Sequence, residues 1–268
     1  MAELTTFWKM ISKNQIKYIR QLEQKKYRRR EGLFVAEGTK VVGDIMEHYR
    51  PKALFATQEY LAAHPLLAEA DYDVTIVTEE ELRRISFVQH PQQVLALFPL
   101  PSTSSCNATT VIESFEMTVE KLSLALDGVQ DPGNLGTIIR IADWFGIENI
   151  FCSEDTADAW NPKVVQATMG SIARVNLIYI NLPEMLNALP DSFPVYGTLL
   201  DGEDIYQQSL SENGLIVMGN EGNGISDTVR SRITHRLLIP SFHQGDTAES
   251  LNVAIATAIT CSEFRRRA

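Results

Sequence analysis

The chain has 268 residues, 44% of them apolar, a net charge of −10 and three cysteines. That length allows two modest domains or one large one, and the apolar share is ordinary for a globular protein. The acidic balance argues against indiscriminate nucleic-acid binding, and no apolar run approaches the ~20 residues of a membrane span.

The opening "MAELTTFWKMISKNQ" has no apolar segment of the kind a secretory signal needs. Residues 9–30 carry nine Lys/Arg and one Glu, a local charge of +8 on a chain whose remainder sums to −18. A basic arm on an acidic body is the asymmetry of a local phosphate contact. Tyr18 and Tyr27 are interleaved with the cations, as in surfaces that stack bases. Lys13, Lys17, Arg20, Lys25, Lys26, Arg28, Arg29 and Arg30 are therefore candidate nucleic-acid-binding residues. A solvated helix face is the bland alternative. The "RRR" at 265–267 suits a helix C-terminus and carries no functional weight.

Strand and helix patterns then alternate. "GLFVAEG", "KALFAT", "DVTIVT" and "QQVLALFPL" read as strands; "TKVVGDIMEHY", "QEYLAAHPLLAEA" and "EEELRRIS" read as helices. This is a small α/β domain, assigned to residues 1–105. "LPSTSSCNATT" is Ser/Thr-rich without an apolar period and opens a linker at 106–120.

From 121 to 268 the alternation resumes. "KLSLALDGV", "NIFCS", "NLIYI", "FPVYGTLL", "GLIVMGN" and "HRLLIP" read as strands. The helices are "NLGTIIRIADWFGI", "PKVVQATMGSIA", "PEMLNAL", "SDTVRSRI" and "SLNVAIATAITCSEF". The first has Leu135, Ile138, Ile139, Ala142 and Phe145 on one face. Near-continuous apolar strands joined by helices predict a parallel sheet covered on both faces. Cys106, Cys152 and Cys261 lie far apart and the five histidines are scattered, which predicts no metal site and a reducing compartment.

Ligands of such sheets sit beyond the strand ends, and three loops there stand out. In "LDGVQDPGNLGTIIR" a Gly/Asp/Pro turn leads to a helix starting near Asn134, an anion site or an ordinary turn capped by Asn134. Arg140 falls on the polar side of that otherwise apolar helix. In "VMGNEGNGIS" three glycines surround Glu221, with Ser226 placed to cap the next helix. The spacing GxxGxG, late in the chain, is not a dinucleotide fingerprint, and a Walker lysine is absent. In "LLIPSFHQGDTAESLNVAIA" Ser250 and Asn252 precede an apolar helix. Each loop alone is unremarkable; three together exceed what a fold requires.

Together the three stretches resemble the three motifs of the SpoU (TrmH-type) RNA ribose 2′-O-methyltransferases of the SPOUT superfamily. Residues 13–100 resemble that family's N-terminal substrate-binding domain. The resemblance implies an α/β fold: a small RNA-binding domain followed by a parallel-sheet domain with a trefoil knot. It implies S-adenosylmethionine as cofactor, methyl transfer to a ribose 2′-hydroxyl, and a cytoplasmic homodimer without metal or membrane partners. The two-domain layout favours ribosomal RNA over tRNA. By the same resemblance Arg140, Asn134, Glu221, Ser250 and Asn252 are catalytic, and Thr198, Leu199, Gly219, Gly222, Ile239 and Leu251 hold the cofactor. The loop before Ser250 is about three residues longer than the family's, and "QATMGSI" at 166–172 lacks the family's basic residue. A tRNA methyltransferase or a non-catalytic ribosome-assembly factor is the alternative, while a nicotinamide-dependent oxidoreductase fails on the glycine spacing.

Overall fold

Successive side chains of a strand face opposite sides of a sheet, and in the first strand both sides are buried. The computed structural model describes residues 11–69, 71–101, 121–243, 245 and 249–266. The expected linker 106–120 and Cys106 lie outside them. Contacts divide the chain into two units. The first gathers the described residues up to 101 with 160–173, and the second holds the rest. The chain therefore passes between units three times.

The first unit runs α1 (Lys13–Gln21), α2 (Lys25–Glu31), β1 (Leu33–Glu37), α3 (Thr39–Met46), β2 (Ala53–Ala56), α4 (Gln58–Ala63), β3 (Asp73–Ile76), α5 (Glu79–Ile85) and β4 (Val94–Pro99). Its four-stranded sheet has the order β1-β4-β2-β3, with only β2 and β3 parallel. Leu33 and Val35 join Leu95, Leu97 and Phe55 in a core closed by Ile19, Leu22, Leu82 and Ile85 of α1, its C-terminal turn and α5. On the opposite face Phe34 stacks on Phe98 at 5.5 Å and meets Trp160 in a tilted contact at 4.7 Å between ring centroids. That face is covered by α3 and by α7 (Pro162–Ala167), which packs on β1. The pattern "QEYLAAHPLLAEA" is not one helix: α4 stops at Ala63 before Pro65, and a 3₁₀ turn follows. "PKVVQATMGSIA" likewise breaks after Ala167, where Met169 and Gly170 take positive φ.

The second unit contains β5 (Leu122–Asp127), α6 (Pro132–Trp144), β6 (Asn149–Cys152), β7 (Asn176–Tyr179), α8 (Leu182–Ala188), β8 (Val195–Asp204), β9 (Gly214–Gly219), α9 (Asp227–Arg230), β10 (His235–Leu238) and α10 (Val253–Arg266). Its six strands are all parallel, in the order β10-β8-β9-β5-β6-β7. One face carries Ala125, Phe151, Leu215 and Val217 against Leu182, Met185 and Leu186 of α8 and Val229 of α9. On α6 the predicted Leu135, Ile138, Ile139 and Ala142 are fully buried, whereas Phe145 is only half-buried at the C-cap. α6 and α10 pack on each other, α6 also on β6 and α10 on β9. β5, β6 and β7 are laid down in one direction before the chain returns to build β8 and β9 on the other side. Order thus reverses between β5 and β9, the switch point where ligands of open α/β sheets bind.

Candidate functional site

The strands are parallel, so the loops after β5, β9 and β10 share one edge of the sheet. The first motif's helix begins earlier than expected. Asp131 is its N-cap, accepting from Asn134 N at 2.8 Å, and Pro132 fits the first turn. Asn134 is therefore not the cap, and its side chain is released for other work. The last helix begins later than expected, at Val253 rather than Ser250. Asn252 is its cap: Oδ1 accepts from Ala254 N at 3.0 Å and Ile255 N at 3.3 Å.

These two shifts bring three loops together. Asn134 Nδ2 donates to Glu221 Oε1 at 2.8 Å, and Asn252 Nδ2 donates to Asn134 Oδ1 at 2.9 Å. Glu221 Oε2 also accepts from Gln130 N at 3.5 Å. A carboxylate only accepts and a helix N–H only donates, so both ends fix the orientation of the two amides. The row Glu221–Asn134–Asn252 joins residues 87 and 118 positions apart. Each amide keeps a second N–H for a ligand.

The loop after β9 is a tight closure. Asn220 and Gly224 exchange backbone hydrogen bonds, each 2.9 Å. Asn220 Oδ1 accepts from Gly222 N and Asn223 N, while Nδ2 donates to Gly128 O at 2.7 Å. Ser226 N donates to Asp127 Oδ2 at 2.7 Å, and its side chain makes no cap bond to the helix it precedes. A Cβ on Gly219 would lie 2.3 Å from Gly224 C, so only glycine permits this closure. Asn220, Asp127 and Asp131 escaped sequence reading, although an Asn or Asp in a Gly-rich turn is the signal for such self-bonding. Gly222 N is committed to that turn.

The remaining expected residues are placed as follows. Arg140 is exposed on α6, two turns in from Asn134, and its guanidinium makes no hydrogen bond among the described residues. It shares a strip of exposed positions with Gly133, Thr137 and Trp144, spaced i, i+4, i+7, i+11. Ser250 is exposed and precedes the helix. Thr198 Oγ1 donates to Val217 O at 3.4 Å, Leu199 packs on the core, Ile239 is half-buried and Leu251 is half-exposed. Within the longer third loop, residues 244 and 246–248 lie outside those described.

In the first unit the basic residues divide. Lys13, Lys17, Arg20, Lys25, Lys26, Arg29 and Arg30 are exposed along α1 and α2. Arg28 is not: it is 2% exposed, and Nη1 donates to Leu22 O at 2.7 Å and Glu23 O at 2.6 Å, closing the C-terminus of α1. Arg20 bonds Ser86 O and lies 4.7 Å over the Phe87 ring, and Arg30 pairs with Glu31 at 2.8 Å. The Tyr27 ring is met by Lys26 and Arg30, each at 4.8 Å. No group of His, Cys, Asp or Glu among the described residues is arranged to hold a metal.

The family model described as the SpoU rRNA Methylase family matches residues 121–262, and the MRM3-like substrate binding domain matches 13–96. The Bacillus subtilis 23S rRNA (guanosine(2553)-2′-O)-methyltransferase RlmP is 31% identical, over 95% of this chain and 97% of its own. A TrmH-family protein from Porphyromonas gingivalis is 44% identical with a TM-score of 0.83, covering 97% of this chain and 100% of its own. An AdoMet-bound rRNA methyltransferase from Sinorhizobium meliloti is 30% identical with a TM-score of 0.78, covering 97% of this chain and 98% of its own.

Proposed function

The chain belongs to the SpoU rRNA methylase family, and from that premise we propose that it methylates a ribose 2′-hydroxyl of ribosomal RNA with S-adenosylmethionine. The observation that carries the reading is the hydrogen-bonded row Glu221–Asn134–Asn252, which draws one residue from each of three motif loops to the switch point.

The residues present fit the cofactor. Leu199, Ile239 and Leu251 are partly exposed apolar groups for an adenosine, and Gly219 keeps side-chain bulk out of the loop. Bound there, S-adenosylmethionine supplies an electrophilic methyl group on a sulfonium sulfur. What the chain adds is position and charge. The spare N–H groups of Asn134 and Asn252 and the Ser250 hydroxyl are oriented donors for an approaching ribose. Glu221 holds the Asn134 amide in one orientation. Arg140 offers N–H donors and no acceptor, so it serves as a charged hydrogen-bond donor and not as a base. It is assigned to the RNA phosphate or to alkoxide charge developing at the 2′-oxygen. The hydroxyl proton passes to a phosphate oxygen or through Ser250 and Asn134.

The first unit is the RNA-binding domain by this reading, with 106–120 as the link and the exposed cations of α1 and α2 as phosphate contacts. The enzyme is assigned as a cytoplasmic homodimer that needs no metal. Support for the dimer is two exposed apolar side chains, one toward each end of the mutually packed α6 and α10: Trp144 is 85% and Ile255 52% exposed. Arg140 stands one turn from Trp144 and is assigned by this reading to the neighbourhood of that interface. No helix among the described residues is long and apolar enough to cross a membrane.

The experiment is transfer of labelled methyl from S-adenosylmethionine to unmodified rRNA and tRNA, with Arg140→Ala in parallel. Label in rRNA that the variant loses is the expected result. Label in tRNA alone would overturn the substrate, and cofactor-independent binding of RNA without transfer would leave an assembly factor.

A further inference from the structure

We propose that Asp201 is a positioning residue for S-adenosylmethionine, acting through ion pairs that fix the unpaired residues 198–202 of β8. The inference rests on the reading that Thr198 and Leu199 wall the adenosine.

The starting point is a break in register. β8 pairs with β10 at Tyr196 and Gly197, opposite His235 and Arg236, and again at Glu203 and Asp204, opposite Leu237 and Leu238. β10 supplies consecutive residues while β8 skips 198–202. On its other side β8 stays paired with β9 only as far as Gly197, opposite Val217. Residues 198–202 thus have no register partner in either neighbour and form one unpaired excursion within β8.

Both feet of the excursion are glycines pressed on β10 and the turn before it. A Cβ on Gly197 would lie 2.2 Å from Ile233 Cδ1, and one on Gly202 would lie 2.6 Å from the Leu237 carbonyl carbon. Between these feet the backbone has no ladder partner in either strand, so its conformation must be held otherwise. Leu199 anchors it on the apolar side. Thr198 Oγ1 bonds Val217 O at 3.4 Å, and the charged anchor is Asp201. Its Oδ2 takes a hydrogen bond from Arg230 Nη2 and lies 3.5 Å from Arg236 Nη1.

The two arginines give the carboxylate its reach. Arg230 ends α9, the helix that follows the Glu221 loop. Arg236 lies in β10, which runs into the loop carrying Ser250 and Asn252. One carboxylate therefore ties the segment with Thr198 and Leu199 to the elements behind two of the motif loops. Removing its charge leaves two guanidinium groups facing each other with that anchor gone. The groups are partly exposed, at 54%, 31% and 52% for Asp201, Arg230 and Arg236 side chains, so solvent screens the effect.

The test is calorimetric titration of the full chain with S-adenosylmethionine, together with steady-state methyl transfer. Asp201→Asn keeps shape and loses charge. Its Kd and KM for S-adenosylmethionine are expected to rise roughly three- to tenfold, with kcat, KM for RNA and the unfolding temperature unchanged. Concentrated salt is expected to narrow the Kd gap, since it screens the wild-type pairs. Arg230→Gln added to Asp201→Asn is expected to cost little more than Asp201→Asn alone. Wild-type affinity in Asp201→Asn, or a loss shared equally with kcat and unfolding temperature, overturns the inference while the parent reading stands. A wild-type chain that binds no S-adenosylmethionine overturns both.

Discussion

Asn252 performs two tasks with two different atoms. Its Oδ1 caps α10 and its Nδ2 holds Asn134. Aspartate keeps the acceptor and loses the donor, and its charge suits a helix N-terminus. Asn252→Asp is thus expected to unfold at the wild-type temperature and to lose about a hundredfold in methyl transfer. Asn252→Ala loses the cap as well and is expected to be about 1 kcal/mol less stable. Thermal unfolding beside a transfer assay separates the two, and a fully active Asn252→Asp would remove Asn252 from the reacting centre. A second contrast lies in the basic run. Arg28→Met strips one buried and one part-buried carbonyl of a donor and is expected to cost roughly 2 kcal/mol in urea unfolding. Lys17→Ala, exposed, is expected to leave stability alone and to reduce the slope of log K against log salt for single-stranded RNA by about 0.7. Both are cations in one stretch, and the sequence offered nothing to part them. Burial of Arg28 follows from the turn at 22–24, which only the fold defines.

At the scale of elements, Gly219→Ala is expected to open the closure between Asn220 and Gly224 and to abolish cofactor binding, because the added carbon meets backbone rather than a mobile side chain. Calorimetry with S-adenosylmethionine checks this, and unimpaired binding would show that the closure is dispensable. The strands and the apolar face of α6 were legible because burial on both sides leaves unbroken apolar runs. Helix starts were legible only to within three residues. Asp131 and Asn134 are both good caps, and so are Ser250 and Asn252; in the first pair the residue that does not cap bonds across the sheet edge, whereas Asn252 does both. The motif residues could be named from the sequence. The row that joins Glu221, Asn134 and Asn252 could not, since it spans loops far apart in the chain. The excursion at 198–202 was not legible: "FPVYGTLL" reads as plain strand to Leu200, because register is a property of pairs.

For the molecule as a whole, the two described cysteines act as reporters of integrity. Burial pushes the Cys261 thiol up to about 12, against an ordinary value of 9.0, and raises that of Cys152 further. An unfolded thiol ionises near 9.0 and the folded Cys261 only near about 12, so stability is intact below that interval and falls as pH rises through it. Urea midpoints are expected to drop with pH above 9, and a thiol alkylator at pH 8 is expected to spare both residues until the chain unfolds. Mass mapping of native and denatured samples checks the latter; rapid native labelling at Cys261 would contradict its burial. The three passages between units have a bearing on synthesis. The sheet bearing Phe34 is finished only when residues 160–173 arrive, because Trp160 and α7 cover its second face. Domains ordinarily fold one after another as they leave the ribosome. Here the first unit must wait with part of an apolar face uncovered until β5, α6 and β6 have also emerged. The two halves are made in sequence but mature together, and the nascent chain carries a sticky sheet through much of its elongation, a state suited to chaperone capture.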